Sequence, residues 1–235
     1  MLTYGVLGFL AALVDGTLGF GYGMSLTAGL LVLGLPPASA SASVHAAELV
    51  TSAASAASHA VAGNVDRALF RALVLTGALG ALLGGSALLT FAARFTRPIA
   101  VSYLLALLVL VVYRQRRPRR GPARRGLPAL GFLGGFCDAA GGGGWGPIVT
   151  LSLLARGLDL RYAVGSANAA ELFVTISAVA VEWPLVRLKG TDVLGLIVGG
   201  LLAAPLAAIL CRWLSARASR ARGDVRIAVE SDRVP

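Results

Sequence analysis

The chain is predicted to be an all-α polytopic membrane protein. Two homologous repeats, inverted relative to one another, each hold a glycine-broken helix pair and long transmembrane helices. Three observations predict this. Of the 235 residues, 57% are hydrophobic and only 14% charged, against about a quarter charged in an ordinary soluble domain, and the mean hydropathy is +0.79. Several apolar runs approach the roughly 20 residues needed to cross a hydrocarbon core of about 30 Å; the clearest are Ala68 to Thr90, Pro98 to Tyr113 and Val193 to Leu210. Finally, Gly8 to Leu49 aligns without a gap on Gly131 to Leu172, at the offset that separates Asp15 from Asp138, and self-similarity of this kind marks an internal duplication.

Backbone groups in lipid must be satisfied within the spanning structure, so the apolar runs are helices or barrel strands. They lack strict alternation and are rich in Ala and Leu, which selects helices. The first helix is expected to run to about Val14. It has no basic start and carries Asp15 in its apolar part, so it reads as mature structure rather than a signal peptide. The stretch Asp15-Gly16-Thr17-Leu18-Gly19-Phe20-Gly21-Tyr22-Gly23 should break it, because glycine adopts backbone angles other residues resist. A short helix to Leu33 ends at Gly34-Leu35-Pro36-Pro37, where proline stops helical pairing. A long Ala/Ser-rich helix follows from about Ala38 to Ala62. After the turn Gly63-Asn64-Val65-Asp66, Asp66 is placed to cap the next helix, which runs to about Thr90. Its Gly77, Gly80, Gly84 and Gly85 would let a neighbour approach closely. One further span, Pro98 to Tyr113, completes a first repeat over residues 1–113.

A basic connector, 114–126, leads to the second repeat, 127–214. There a helix runs to about Asp138, a break at Gly141 to Pro147 follows, a short helix reaches Ala155, and a long helix starts near Arg161. Lys189-Gly190-Thr191-Asp192 parallels the earlier Gly63-to-Asp66 turn. The last helix is expected to end near Leu214, leaving 215–235 as a basic, soluble, loosely ordered tail. Cys137 and Cys211 match no metal or disulfide spacing and are read as packing residues.

The formal charge of +10 is concentrated in the connector, from Arg114 to Arg125, and in the tail, at Arg212, Arg217, Arg220, Arg222 and Arg226. Basic residues flanking spans mark the cytoplasmic face and touch anionic lipid, which removes the need for a nucleic-acid partner. If each glycine-interrupted pair enters and leaves on one side, three crossings separate the repeats and the halves are inverted. Arg67, Arg71, Arg156 and Arg161 then lie inside, with Arg94, Arg97, Arg187 and Lys189 outside. A single broken span in each half would instead make the repeats parallel.

Four carboxylates fall at matching places in apolar sequence: Asp15 with Asp138, and Glu48 with Glu171. Each costs about 3 kcal/mol or more at mid-membrane, and duplicated polar sites inside the membrane mark transporters. Asp15 and Asp138 precede glycine breaks, where a carboxylate can either brace amides left free by the interruption or contact a ligand. Glu48 and Glu171 lie within long helices with no break to serve. Helical spacing puts Ser41, His45, Glu48 and Ser52 on one stripe, and Asn168, Glu171 and Thr175 on its counterpart. Withdrawal from water favours the protonated form of a carboxyl, which suits Glu48 or Glu171 to coupling proton movement to transport. His45 and Asn168 occupy equivalent positions and both donate hydrogen bonds. His59, toward a helix end, is given no functional role. The glycine breaks expose the amino ends of short helices, with Pro147 in the first turn of one and Ser25 and Thr27 at the equivalent place in the other. Such ends carry free amides and partial positive charge. Gly21, Gly23, Ser25, His45, Gly144, Gly146 and Asn168 are therefore the candidate substrate-binding residues.

At Gly19-Phe20-Gly21-Tyr22-Gly23, at Gly34-Leu35-Pro36 through Ala40 to Ser43, at Gly63-Asn64-Val65-Asp66 and at the Gly141 to Pro147 cassette, the chain resembles the sulfite exporter TauE/SafE family, also called the toluene sulfonate uptake permeases. The likeness covers most of the chain up to about Leu210. It implies a multi-pass carrier of the plasma (inner) membrane for small sulfur-containing or organic anions, such as sulfite or sulfonates, with no enzyme activity. The chain departs from the pattern where Met24 stands opposite Pro147, where Phe20 interrupts the first glycine cluster, and where the second half lacks a counterpart to the Pro98-to-Tyr113 helix.

The expected function is thus secondary transport of a small anionic solute, coupled to protons, in a bilayer with anionic lipid at its cytoplasmic face. No cofactor, metal or catalytic residue is expected. The alternative is a cation transporter in which Asp15, Glu48, Asp138 and Glu171 with His45 hold a divalent metal or sodium. An enzyme is the least favoured class, because no nucleophile set, metal motif or phosphate loop emerges.

Overall fold

The computed structural model describes residues 1–95, 97–115 and 126–231. The basic connector lies outside them for most of its length, as do the last four residues. The described residues are helical throughout, with no strand. Helix α1 spans Leu2–Leu18, α2 Tyr22–Val32, α3 Pro37–Val61, α4 Arg67–Phe91, α5 Arg97–Gln115 and α6 Leu127–Gly141. A wide π-helical turn, Gly146–Thr150, leads into α7, Leu151–Ala155. Then come α8, Leu160–Glu182, and α9, Gly190–Ser231.

Among the described residues, three helical stretches are long and apolar enough to cross a bilayer: Arg67–Arg94, Leu160–Leu185 and Gly190–Ala218. Large apolar side chains such as Leu75, Val109, Leu202 and Ile209 remain more than half exposed on α4, α5 and α9. In water this would be costly, and in lipid it is the expected outer surface. Helix α3 is as long as a span, but its Ser/Ala-rich sequence is carried inside the bundle, where Ala40, Ser41, Ala42, Ser43, Val44 and His45 are all buried.

Small residues set the close helix pairs, as the glycines of α4 predict. A methyl group at Gly80 would lie 2.9 Å from the Phe136 amide, at Gly84 3.0 Å from the Phe136 carbonyl carbon, and at Gly135 2.9 Å from that of Gly77. Helices α4 and α6 therefore touch backbone to backbone, as α1 and α9 do where Gly8 faces Leu196 and Gly199 faces Gly5. Helix α8 lies between α3 and α4, and α3 between α8 and α9. One apolar cluster gathers around Trp145, Leu69, Leu73, Leu153 and Val174. A second gathers around Tyr22, Leu26, Leu30, Val44 and Leu196.

The Asp66 carboxylate accepts the Ala68 and Leu69 amides at 2.8 and 3.1 Å, capping α4 as its position predicts. Asp66→Ala is expected to cost about 1 kcal/mol, read as a small loss of thermal stability in detergent with the oligomeric profile unchanged.

Two boundaries differ from expectation. The break after α1 is shorter, because Asp15, Gly16, Thr17 and Leu18 complete a last helical turn before Gly19. That turn is held by packing of Gly16 against Ala207 of α9, a tertiary contact that overrides local glycine content. At the other end, α9 does not stop near Leu214 but continues to Ser231. The segment after Leu214 is rich in Ala and Arg, which sustain a helix once it is nucleated.

Candidate functional site

Both helix breaks are built the same way. Gly19 takes a left-handed φ of 72° and donates its amide to the Asp15 carbonyl at 2.6 Å, so the chain turns out of α1. The Asp15 carboxylate then accepts the Gly21 amide at 2.8 Å. At the second break Gly142 has φ 74° and donates to the Asp138 carbonyl at 2.9 Å, while Asp138 Oδ1 accepts the Trp145 amide at 3.0 Å. Each aspartate thus satisfies an amide freed by the interruption of its helix.

The two breaks meet inside the bundle. The Thr27 hydroxyl donates to the Gly142 carbonyl at 2.5 Å. A methyl at Gly146 would stand 2.8 Å from the Gly19 carbonyl oxygen, and one at Gly23 3.1 Å from the Gly143 Cα. Gly21, Gly23 and Gly146 are therefore in backbone contact across the interface, with no room for a solute between them in this conformation. Gly144 packs instead beneath Tyr103 of α5, whose hydroxyl lies 2.7 Å from the Cys137 carbonyl and 2.6 Å from that of Gly143. Ser25 stands apart from this group: it is exposed and turns its hydroxyl back to the Gly21 carbonyl at 3.1 Å.

Beside the breaks lies a polar cavity of about 20 Å³, lined among others by Asp15, Tyr22, Glu48, Ser52, Ser55 and Glu171. That volume holds about one water. Asn168 projects toward it from α8, donating to Ser55 Oγ at 3.0 Å and lying 3.4 Å from Asp15 Oδ2.

His45 faces a second polar group. Its Nδ1 is 2.8 Å from Glu182 Oε2, and its Nε2 is 3.6 Å from Asp138 Oδ2, too long for a hydrogen bond. His45, Glu48 and Asp138 each bring a ligand-type atom within 4.8 Å of the others. Glu48 is the residue common to this group and the cavity. Four sequence-named acids, His45 and Asn168 therefore come together within the bundle, along with the two glycine turns.

Glu182, Tyr22 and Ser55 are site residues that sequence reasoning missed. Glu182 stands at the end of α8, just before Trp183-Pro184, and is fully buried. One signal could have found it, since it stands at the same offset from His59 as Asp138 does from Asp15. Five carboxyls are buried here and, among the described residues, no Arg or Lys is. His45, which can carry positive charge, lies within ion-pair distance of two of them, Asp138 and Glu182. His59, also buried, lies 3.1 Å from Asn64 Nδ2 and turns Nε2 toward Gly16, next to Asp15.

Comparison with known proteins identifies a family of membrane transporters. The family model described as Sulfite exporter TauE/SafE matches residues 4–222. The chain is 41% identical over 229 residues to the Probable membrane transporter protein YtnM of Bacillus subtilis (strain 168), covering 91% of this chain and 74% of that protein. No solved structure matches. The chain belongs to the sulfite exporter TauE/SafE family of membrane transporters.

Proposed function

We propose that the chain is a multi-pass secondary carrier of the inner membrane that moves small sulfur-containing or organic anions, such as sulfite or sulfonates, in company with protons. The observation that carries this reading is the cavity beside the first helix break, walled by Asp15, Glu48 and Glu171 and by the donors Tyr22 and Ser55. Ionised carboxylates repel an anion, whereas protonated ones donate hydrogen bonds to it. Proton uptake and anion uptake at this cavity are therefore mutually favourable, which is the linkage a coupled carrier needs. Glu171 is assigned the coupling role. It faces the cavity with Asp15, Tyr22 and Glu48 around it, while Glu48 is also engaged with His45 and Asp138.

A one-water cavity is too small for sulfite, so binding requires the halves to part, and alternating access follows from rocking one repeat against the other. The inverted arrangement is part of the proposal. In its support, Gly8 near the start of α1 lies against Leu196 near the start of α9, while Asn64 after α3 donates to Ala208 at 3.1 Å and Arg212 to Ala62 at 3.3 Å farther along α9. Arg212 and Arg217 then belong to the cytoplasmic face with anionic lipid, the latter stacked on Trp213 at 5.2 Å.

The test is flux of labelled sulfite into proteoliposomes across imposed proton gradients. Uptake should rise with inward proton gradient in the parent and be insensitive to it in Glu171→Gln. Unaltered gradient dependence in that variant would remove the coupling assignment, and absence of sulfite and sulfonate flux in the parent would remove the substrate class.

A further inference from the structure

We infer that His45, Glu48 and Asp138 form a binding site for one divalent transition-metal ion, whichever solute the carrier moves. The three side chains are buried, and each presents an atom with no hydrogen-bond partner: His45 Nε2, Glu48 Oε2 and Asp138 Oδ2. Leaving three such atoms unpaired in a bundle interior is expensive, and a cation answers all three at once. The rest of each side chain is already fixed. Asp138 Oδ1 holds the Trp145 amide. Glu182 sits 2.8 Å from His45 Nδ1; as an ionised carboxylate it can only accept, so Nδ1 carries a proton, and in the neutral ring that a metal requires Nε2 is the lone-pair nitrogen. A carboxylate behind the far nitrogen of a histidine is the usual support of a metal-ligating imidazole.

One ligand separation matches the ion closely, and all three atoms lie within 4.8 Å of one another. Tetrahedral zinc, with arms of about 2.1 Å, sets its ligands about 3.4 Å apart, and His45 Nε2 and Asp138 Oδ2 are 3.6 Å apart. One imidazole with two carboxylates suits Zn²⁺, Mn²⁺ or Co²⁺ better than sodium, which has no use for nitrogen. Three protein ligands leave a fourth position open. The charge fits as well: two of the five buried carboxyls would be neutralised by the ion, in an interior where no described Arg or Lys is buried.

The probe is Co²⁺ added to chelator-treated, detergent-purified protein, followed by visible absorption and by counting bound metal after desalting, with ZnCl₂ as competitor. One ion per chain, with absorption in the range of a four-coordinate site, is expected. His45→Gln should abolish uptake. Glu182→Gln, which removes no ligating atom, should weaken it by about 10–100-fold, while His59→Gln leaves it in place. Failure of the parent protein to retain a stoichiometric ion would overturn the site, as would equal retention by the parent and by His45→Gln. Because the parent alone decides the first point, misfolding of a variant does not rescue the proposal. Sulfite flux that fails while Co²⁺ still binds would count against the anion reading and not against this site.

Discussion

A protein carrying Gly143→Ala is expected not to accumulate as a monodisperse species in detergent and to carry no flux. Gly143 has φ 138°, a conformation open to glycine and costing other residues about 1–3 kcal/mol. The added methyl would also stand 2.6 Å from Met24 Cα and 2.7 Å from the Gly23 carbonyl carbon. Both are backbone atoms at the start of α2, so no side-chain rotation relieves the overlap, and the two broken helix pairs must separate. Strain and separation together exceed about 4 kcal/mol, the range of the most damaging single substitutions. Gly29→Ala is the matched comparison: its methyl meets nothing within 4 Å, it lies inside α2, and it should be neutral or stabilising by up to about 1 kcal/mol. Size-exclusion profiles and flux of the two variants side by side provide the measurement. Parent-like behaviour of Gly143→Ala would mean that the breaks do not need to touch.

What this substitution probes was only partly legible in the sequence. The helices were, because apolar runs of spanning length have few other solutions in lipid. That Asp15 and Asp138 brace freed amides was open alongside ligand contact; both do hold such amides. The position of Asp15 inside the last turn of α1 was not legible, since the turn is completed by a contact with Ala207 far along the chain. Nor was Ser25, whose hydroxyl satisfies a carbonyl of its own turn rather than pointing inward. Helical spacing puts a residue on a stripe, but it does not say which stripe faces the partner helix. Glu182 escaped for a related reason: its meaning comes from His45, 137 residues away, and only the 123-residue offset from His59, which pairs a base with an acid, hinted at it.

The same pairing gives the second large expected effect. His45→Ala removes the one buried cation-capable group from among Glu182, Asp138 and Glu48, and leaves Glu182 with no partner for Oε2. Truncating one member of a buried charged pair costs about 3–5 kcal/mol, because the survivor keeps its desolvation penalty and loses its compensation. The loss should appear as a lower thermal unfolding midpoint in metal-free detergent solution. The double variant His45→Leu with Glu182→Leu separates this from a simple packing defect. If the penalty is that of an orphaned acid, removing Glu182 as well restores much of the stability; if it is a cavity left by the imidazole, leucine at 45 alone recovers it and the second change adds nothing. A His45→Ala protein as stable as the parent would show that Glu182 finds another partner, and would remove His45 as the electrostatic centre of this interior.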